Sequence, residues 1–237
     1  MLVYKKQLNH NKDSFVHQSK FLANQIANEI AIPNGLANTP HPSLCTACSP
    51  HYNLFTSTMP EMYFLYKDIQ EFFKTEIRTN TNQGYWIVGW LNYWPNKGEV
   101  LDWHGHDYGG GTNCFHGIYG VNCEPSYAEY REIGSEDIQK VENKDGQLLI
   151  TQSTNMEHRI SDWDGDEPRI TIAFNIQPID TMLQHIQTPK VNPANKVGLQ
   201  LHQDNLRMNQ PGNFMPGGNP LNYYCLLYTS DAADEWW

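Results

Sequence analysis

Apolar positions fall at helical spacing in two stretches near the start of the chain, and strand-like runs replace them after residue 84. From Ser14 to about Ile30, the residues Phe15, Leu22, Ile26 and Ile30 share one helical face, and Pro33-Asn34-Gly35 stops the pattern. The segment from there to Thr58 is rich in Pro, Ser, Thr and His and has no period, so it reads as a long loop able to cover something. A second stripe, Met62, Leu65, Tyr66, Ile69, Phe72 and Phe73, predicts another helix, and Thr58 with Glu61 has capping-box spacing around Pro60. The run YWIVGWLNYW, residues 85–94, is apolar on both faces and predicts a strand covered on each side. Further strands are expected at Cys114 to Asn122, Gln147 to Thr151 and Arg169 to Gln177, with turns such as NKDG and DWDGDEP between them. Helices followed by strands predict a mainly β chain, an antiparallel sheet with helices on one side.

The length of 237 residues suits one domain, expected over 1–187 with its core at about 60–180. Residues 188–224, rich in Asn, Pro, Gly and Gln, read as a peripheral extension with one short amphipathic piece at Val197 to Met208. The end of the chain, 225–237, contains CLLYTSDAADE, the translation of a sequencing-library adapter, and is expected to be foreign to the protein. A net charge of -10 without a basic stripe argues against a nucleic-acid partner. No apolar run reaches membrane-spanning length and the start lacks a signal-peptide core, so the expectation is a cytoplasmic protein with its five cysteines reduced, in the host cytoplasm if the chain is viral.

Candidate chemistry centres on LDWHGHD, residues 101–107. In a strand His104 and His106 share a face while Asp107 points away, so two neutral imidazoles form two legs of a metal site; Asp107 is a fallback if the chain bends at Gly105. A third ligand must come from another strand, and His158 is the strongest candidate. On RITIAFNI, Ile170, Ile172, Phe174 and Ile176 form an apolar outer face, leaving Arg169 and Thr171 on the interior one. A buried guanidinium needs an anion. That anion is either a small-molecule carboxylate, gripped with help from the Thr171 hydroxyl, or one of the chain's own acids in a structural salt bridge.

The ordered set Trp90 and Asn92, His104 and His106, Gly117 to Tyr119, Gly146 to Leu148, His158, and Arg169 to Asn175 resembles Fe(II)/2-oxoglutarate-dependent oxygenases of the phage and marine bacterial type. The resemblance covers about residues 60 to 180. It implies a double-stranded β-helix (jelly roll) with N-terminal helices packed on one sheet, Fe(II) held by His104, His106 and His158, and O2 and 2-oxoglutarate as cosubstrates. It further implies that Arg169 and Thr171 bind the distal carboxylate of 2-oxoglutarate with Tyr119 as an added donor, and that Trp90 and Asn92 line the substrate pocket. The implied reaction hydroxylates a small-molecule or peptide substrate and releases succinate and CO2. Two features depart from the pattern: histidine stands where the wider superfamily carries a carboxylate ligand, and His116 and Gly120 stand where the nearer group often has Ser and Tyr.

Two rivals come from other classes. One is a non-catalytic jelly roll, a phage structural or sugar-binding module; the other is a cupin-like three-histidine dioxygenase that uses no keto acid and binds its substrate's own carboxylate through Arg169. Elsewhere, Cys45 and Cys48 with His41 and His51 have zinc-like spacing in a compact, proline-flanked loop, and ordinary loop cysteines are the plainer account. YGGGTN, residues 108–113, lacks the Lys-Ser/Thr of a phosphate loop and reads as a flexible lip beside the histidines. Asp102, Trp103 and Asp107 are candidates to orient the histidine rings.

Overall fold

The computed structural model describes residues 3–26, 44–45, 53–56, 59–77, 85–95, 97–98, 100–106, 114–178 and 197–199. The chain divides into two compact units, Met1–Ser49 with Gly89–Gln177, and Pro50–Val88 with Pro178–Trp237.

In the first unit, β1 (Val3–Gln7), β5 (Phe115–Asn122), β8 (Gln147–Gln152), β10 (Arg169–Pro178) and the second half of β3 (Tyr85–Trp94) form one sheet in the order β1-β8-β5-β10-β3, with β2 (Leu44–Cys45) also on β3. A second sheet has the order β4-β9-β6-β7, built from β4 (Leu101–Gly105), β6 (Ser126–Glu132), β7 (Gln139–Asn143) and β9 (Met156–Ile160). The pairings β1–β8, β5–β8, β5–β10, β4–β9, β6–β9 and β6–β7 are all antiparallel. Trp90, Ile118, Leu149 and Ala173 from the first sheet pack in one core with Ala128, Tyr130, Val141 and Ile160 from the second. Two antiparallel sheets sharing an interior make the jelly roll expected from the resemblance.

Alternation decides what faces that interior. On β10 the residues Arg169, Thr171, Ala173 and Asn175 point inward, while Ile170, Ile172, Phe174 and Ile176 point outward, and the strand is buried on both faces. Its outward Phe174 lies opposite Gly117, where a Cβ would come within 2.1 Å of the Phe174 ring, so the ring occupies the space a side chain would need. Helix α1 (Lys12–Ile26) covers the outer face of β5 through Phe15, whose ring lies 5.3 Å from that of Tyr119. Its first turn is capped by Asn11, whose Oδ1 accepts the Ser14 N–H at 3.1 Å, and the helix starts at Lys12, two residues ahead of the start expected from periodicity.

In the second unit, α2 (Pro60–Phe72) continues into a π-helical turn, Phe73–Ile77, and the whole predicted stripe Met62, Leu65, Tyr66, Ile69, Phe72 and Phe73 is buried. The cap differs from the expected one: Met59 occupies that position without a side-chain bond, and Thr58 lies outside the described residues. Phe73 meets Tyr85 of β3 edge-on at 5.1 Å, Asn53 Nδ2 donates to the Ile87 carbonyl at 3.1 Å, and β11 (Val197–Leu199) pairs with residues 85–87. The remainder of the amphipathic piece to Met208, the 108–113 lip, and His41, Cys48 and His51 lie outside the described residues. Among the described residues no helix is long and apolar enough to cross a membrane.

Candidate metal centre

β4 and β9 pair so that His104 and His158 stand directly opposite each other on the inner face, and His106 follows one residue after β4 ends. His158 Nε2 lies 2.8 Å from His104 Nε2 and 3.2 Å from His106 Nε2. Two nitrogens bound to one metal at about 2.1 Å and at right angles stand about 3.0 Å apart, so the spacing is that of adjacent ligands. The protonation pattern points the same way. His104 Nδ1 lies 2.7 Å from the Asp102 carbonyl, an acceptor, so Nδ1 carries the proton and Nε2 presents its lone pair. His158 Nε2 is either a donor or an acceptor and can serve only one of its two neighbours, so the remaining contact sets two ring nitrogens against each other at close range without a hydrogen bond. A shared cation removes that repulsion, and three neutral imidazoles suit a divalent transition metal. The residues present therefore fit the iron that the resemblance implies.

Burial lowers the pKa of all three, with the neighbouring imidazoles adding to the effect at His106 and His158. His116, in the same cluster, is pushed down to about 3, chiefly by burial. In the unfolded chain these groups titrate near about pH 6.5. Their folded-state pKa values are lower, so unfolding takes up protons once the pH falls below that point. Metal-free protein is expected to lose stability from about pH 6.5 downward, by up to about 1.4 kcal/mol per pH unit for each of the fully buried His116 and His158. Urea midpoints followed from neutral pH into acid check this, and a flat profile would mean that the rings are solvated.

Arg169 is 1% exposed and lies over the Trp94 ring with Cζ 4.6 Å from its centroid. Its Nε donates to Ser126 Oγ at 3.3 Å and its Nη1 to Thr171 Oγ1 at 3.4 Å, both long, while Nη2 has no partner among the described residues. Burial draws its pKa down to about 10, which leaves it charged at neutral pH. No carboxylate among the described residues pairs with it. Cys123 also acts on it electrostatically, but burial raises the pKa of that thiol and keeps it neutral. A structural salt bridge is thus absent among the described residues, and a buried guanidinium without an anion costs several kcal/mol.

The other predicted residues divide by face. Trp90 lies beside His106 with centroids 5.6 Å apart, and Asn92 Nδ2 reaches Thr171 Oγ1 at 3.5 Å, so both look inward. Tyr119 does not join them. It lies opposite Ile172 on the outer face, packed on Phe15, with its hydroxyl 3.0 Å from His10 Nδ1. The correction follows from parity, since Tyr119 and the inward-facing Ile118 are adjacent on one strand. Asp102 orients His104 through its backbone carbonyl, not its carboxylate, and Trp103 points outward between Arg131 at 3.9 Å and Arg159 at 4.9 Å. Asp107 lies outside the described residues. His116, noted in the sequence only as a departure from the pattern, lies flat against His106, and two further inward residues carry no sequence signal for the site: Tyr130, opposite His158, and Ser126, which holds Arg169. On SYAEYRE the inward positions are Ser126, Ala128 and Tyr130, and the polar Ser126 blurs the alternation that would have marked them.

No family model matches the sequence, and no curated protein matches it. Solved structures share the fold. A prolyl hydroxylase from Trichoplax adhaerens, in complex with a hypoxia inducible factor peptide fragment, aligns at TM-score 0.56 and 10% identity over 77% of this chain and 86% of that one. ThoJ, a non-heme monooxygenase solved as a nickel complex, aligns at TM-score 0.54 and 10% identity over 97% and 93%. An oxidoreductase of the 2OG-Fe(II) oxygenase family from Burkholderia pseudomallei aligns at TM-score 0.40 and 12% identity over 50% of this chain, which spans 58% of that protein's length. At these identities the likeness to the first two is one of fold.

Proposed function

We propose that this chain is an Fe(II)- and 2-oxoglutarate-dependent dioxygenase that hydroxylates a small-molecule or peptide substrate. The observation that carries the reading is Arg169: a buried, charged guanidinium with a free Nη2 and no carboxylate among the described residues, inside the same barrel as three converging imidazoles. A non-catalytic jelly roll has no use for either feature, and together they cost stability.

His104, His106 and His158 would hold the metal through Nε2. Bound there, iron supplies the activation of dioxygen, with 2-oxoglutarate oxidised to succinate and CO2 while one oxygen atom enters a substrate C–H bond. The chain itself binds and orients. Arg169, supported by Thr171 and Ser126, anchors the distal carboxylate and so fixes which end of the keto acid reaches the metal. Trp90, Trp94, Ile118 and Ala173 form an apolar wall that keeps water from that path. Asn92 spans the two regions as a polar contact for the bound acid or the substrate.

An anaerobic titration of Fe(II)-loaded protein with 2-oxoglutarate tests the reading. A visible metal-to-ligand charge-transfer band is expected, and its absence in protein shown to hold Fe(II) overturns the keto-acid assignment. In that event the all-histidine donor set favours the second reading, a cupin-like dioxygenase in which Arg169 binds the carboxylate of the substrate.

A further inference from the structure

A small cavity of about 10 Å³ sits against the three imidazoles, with His116 and Ser153 also in its wall. That is room for about one water-sized molecule. His116 is 3% exposed and lies flat on His106, ring centroids 3.8 Å apart and planes 4° from parallel. It is nevertheless not one of the three histidines whose ligand atoms all lie within 4.8 Å of one another. Its Nδ1 lies 3.0 Å from Asn175 Oδ1. That acceptor fixes the proton on Nδ1 and leaves Nε2 as a lone pair. That Nε2 is buried and has no partner among the described residues; neither has the buried Ser153 Oγ on the same cavity.

An unpartnered buried acceptor beside a metal site states a preference about what fills the space between. A carboxylate or other bare anion there would set lone pair against lone pair, whereas a ligand carrying O–H or N–H satisfies it. We propose that the cavity is a binding site for one proton-bearing ligand of the metal, water in the resting protein, with His116 Nε2 as its acceptor and Ser153 Oγ as a second contact. His116 is then a positioning residue. It keeps one metal position reserved for a hydrogen-bond donor and steers the keto acid's carboxylate to the others. This rests on the metal reading above and adds to it a selectivity among ligands.

Cobalt(II)-loaded protein, titrated separately with azide and with ammonia and followed by visible absorption, tests it. Azide offers only lone pairs and bound ammonia only N–H groups, so the ratio of their affinities reports the hydrogen-bond preference of the site, and the same ratio in Ser153→Ala serves as the reference for their difference in size and charge. Relative to aqueous cobalt, the wild type is expected to favour ammonia. His116→Phe, which keeps the stacked ring, is expected to shift the ratio toward azide by about tenfold, the equivalent of one hydrogen bond. Ser153→Ala, whose hydroxyl serves either ligand, is expected to weaken both and leave the ratio near the wild-type value. An unchanged ratio in His116→Phe overturns the proposal, and so does loss of cobalt in that variant alone, which would make His116 a ligand. If His116→Phe does not fold, the wild type decides, since a preference for azide overturns the proposal. Failure of the wild type to bind cobalt would instead remove the metal reading itself.

Discussion

Arg169→Met is expected to separate binding from stability: 2-oxoglutarate affinity falls steeply while the metal-free protein becomes no less stable. Truncating one side of a buried, hydrogen-bonded charge pair costs about 2–5 kcal/mol, which is roughly a 30- to several-thousand-fold loss of affinity for the keto acid. In the free protein the sign reverses. Arg169 has no carboxylate partner among the described residues and its Nη2 is unbonded, so an apolar side chain of similar volume removes a desolvation penalty. The metal-free melting point is then expected to hold or to rise by several degrees, since about 1 kcal/mol is worth about 2–4 °C in a domain of this size. Metal affinity stays near the wild-type value. A variant that melts well below the wild type and loses metal and keto acid together would assign Arg169 to the scaffold.

His158→Ala carries the second large effect. His158 supplies the nitrogen that both His104 and His106 approach, so its loss leaves two ligands with no common third. Iron affinity is expected to fall by more than the roughly 100-fold that follows loss of an outer hydrogen-bond partner. Far-ultraviolet circular dichroism should keep its β-sheet signature, because His158 sits on β9 between backbone ladders that do not depend on its ring. One buried histidine fewer also takes up to about 1.4 kcal/mol per pH unit from the acid slope. Iron binding retained within 100-fold would remove His158 from the site.

What could be read from the sequence follows a physical line. Strand β3 was legible to its ends, because a ten-residue run apolar on both faces has few other uses. The stripe of α2 was legible because its period and its burial coincide. Strands β6 and β7 were not: SYAEYRE and QKVEN carry charges outward, and two of their inward positions are the polar Ser126 and Asn143, so no apolar alternation stands out. The edge strand β1, with Lys5 and Lys6, hides for the same reason. In the site, parity within one strand brought His104, Arg169 and Thr171 to the interior correctly. Parity applied to β5 would also have set Tyr119 against His116, and the motif match alone carried Tyr119 to the wrong face. The stacking of His116 on His106 depends on which strands become neighbours, which no local pattern encodes.

The direct opposition of His104 and His158 across β4 and β9 has a consequence for how the second sheet assembles. A slip of one residue that sets Arg159 opposite His104 turns His158 outward and puts a cation in its place, so that pairing has no affinity for the metal. The native alignment binds and that one does not, and each free ion therefore draws the population away from the slip by mass action. The outward faces work in the same direction: Arg131 with Glu157 and Arg159 with Glu129, both at 2.6 Å, flank the Trp103 ring and hold three strands to a common alignment. The metal thus acts as a proofreader of strand alignment during folding, and refolding in its presence should return a larger native fraction than refolding in a chelator.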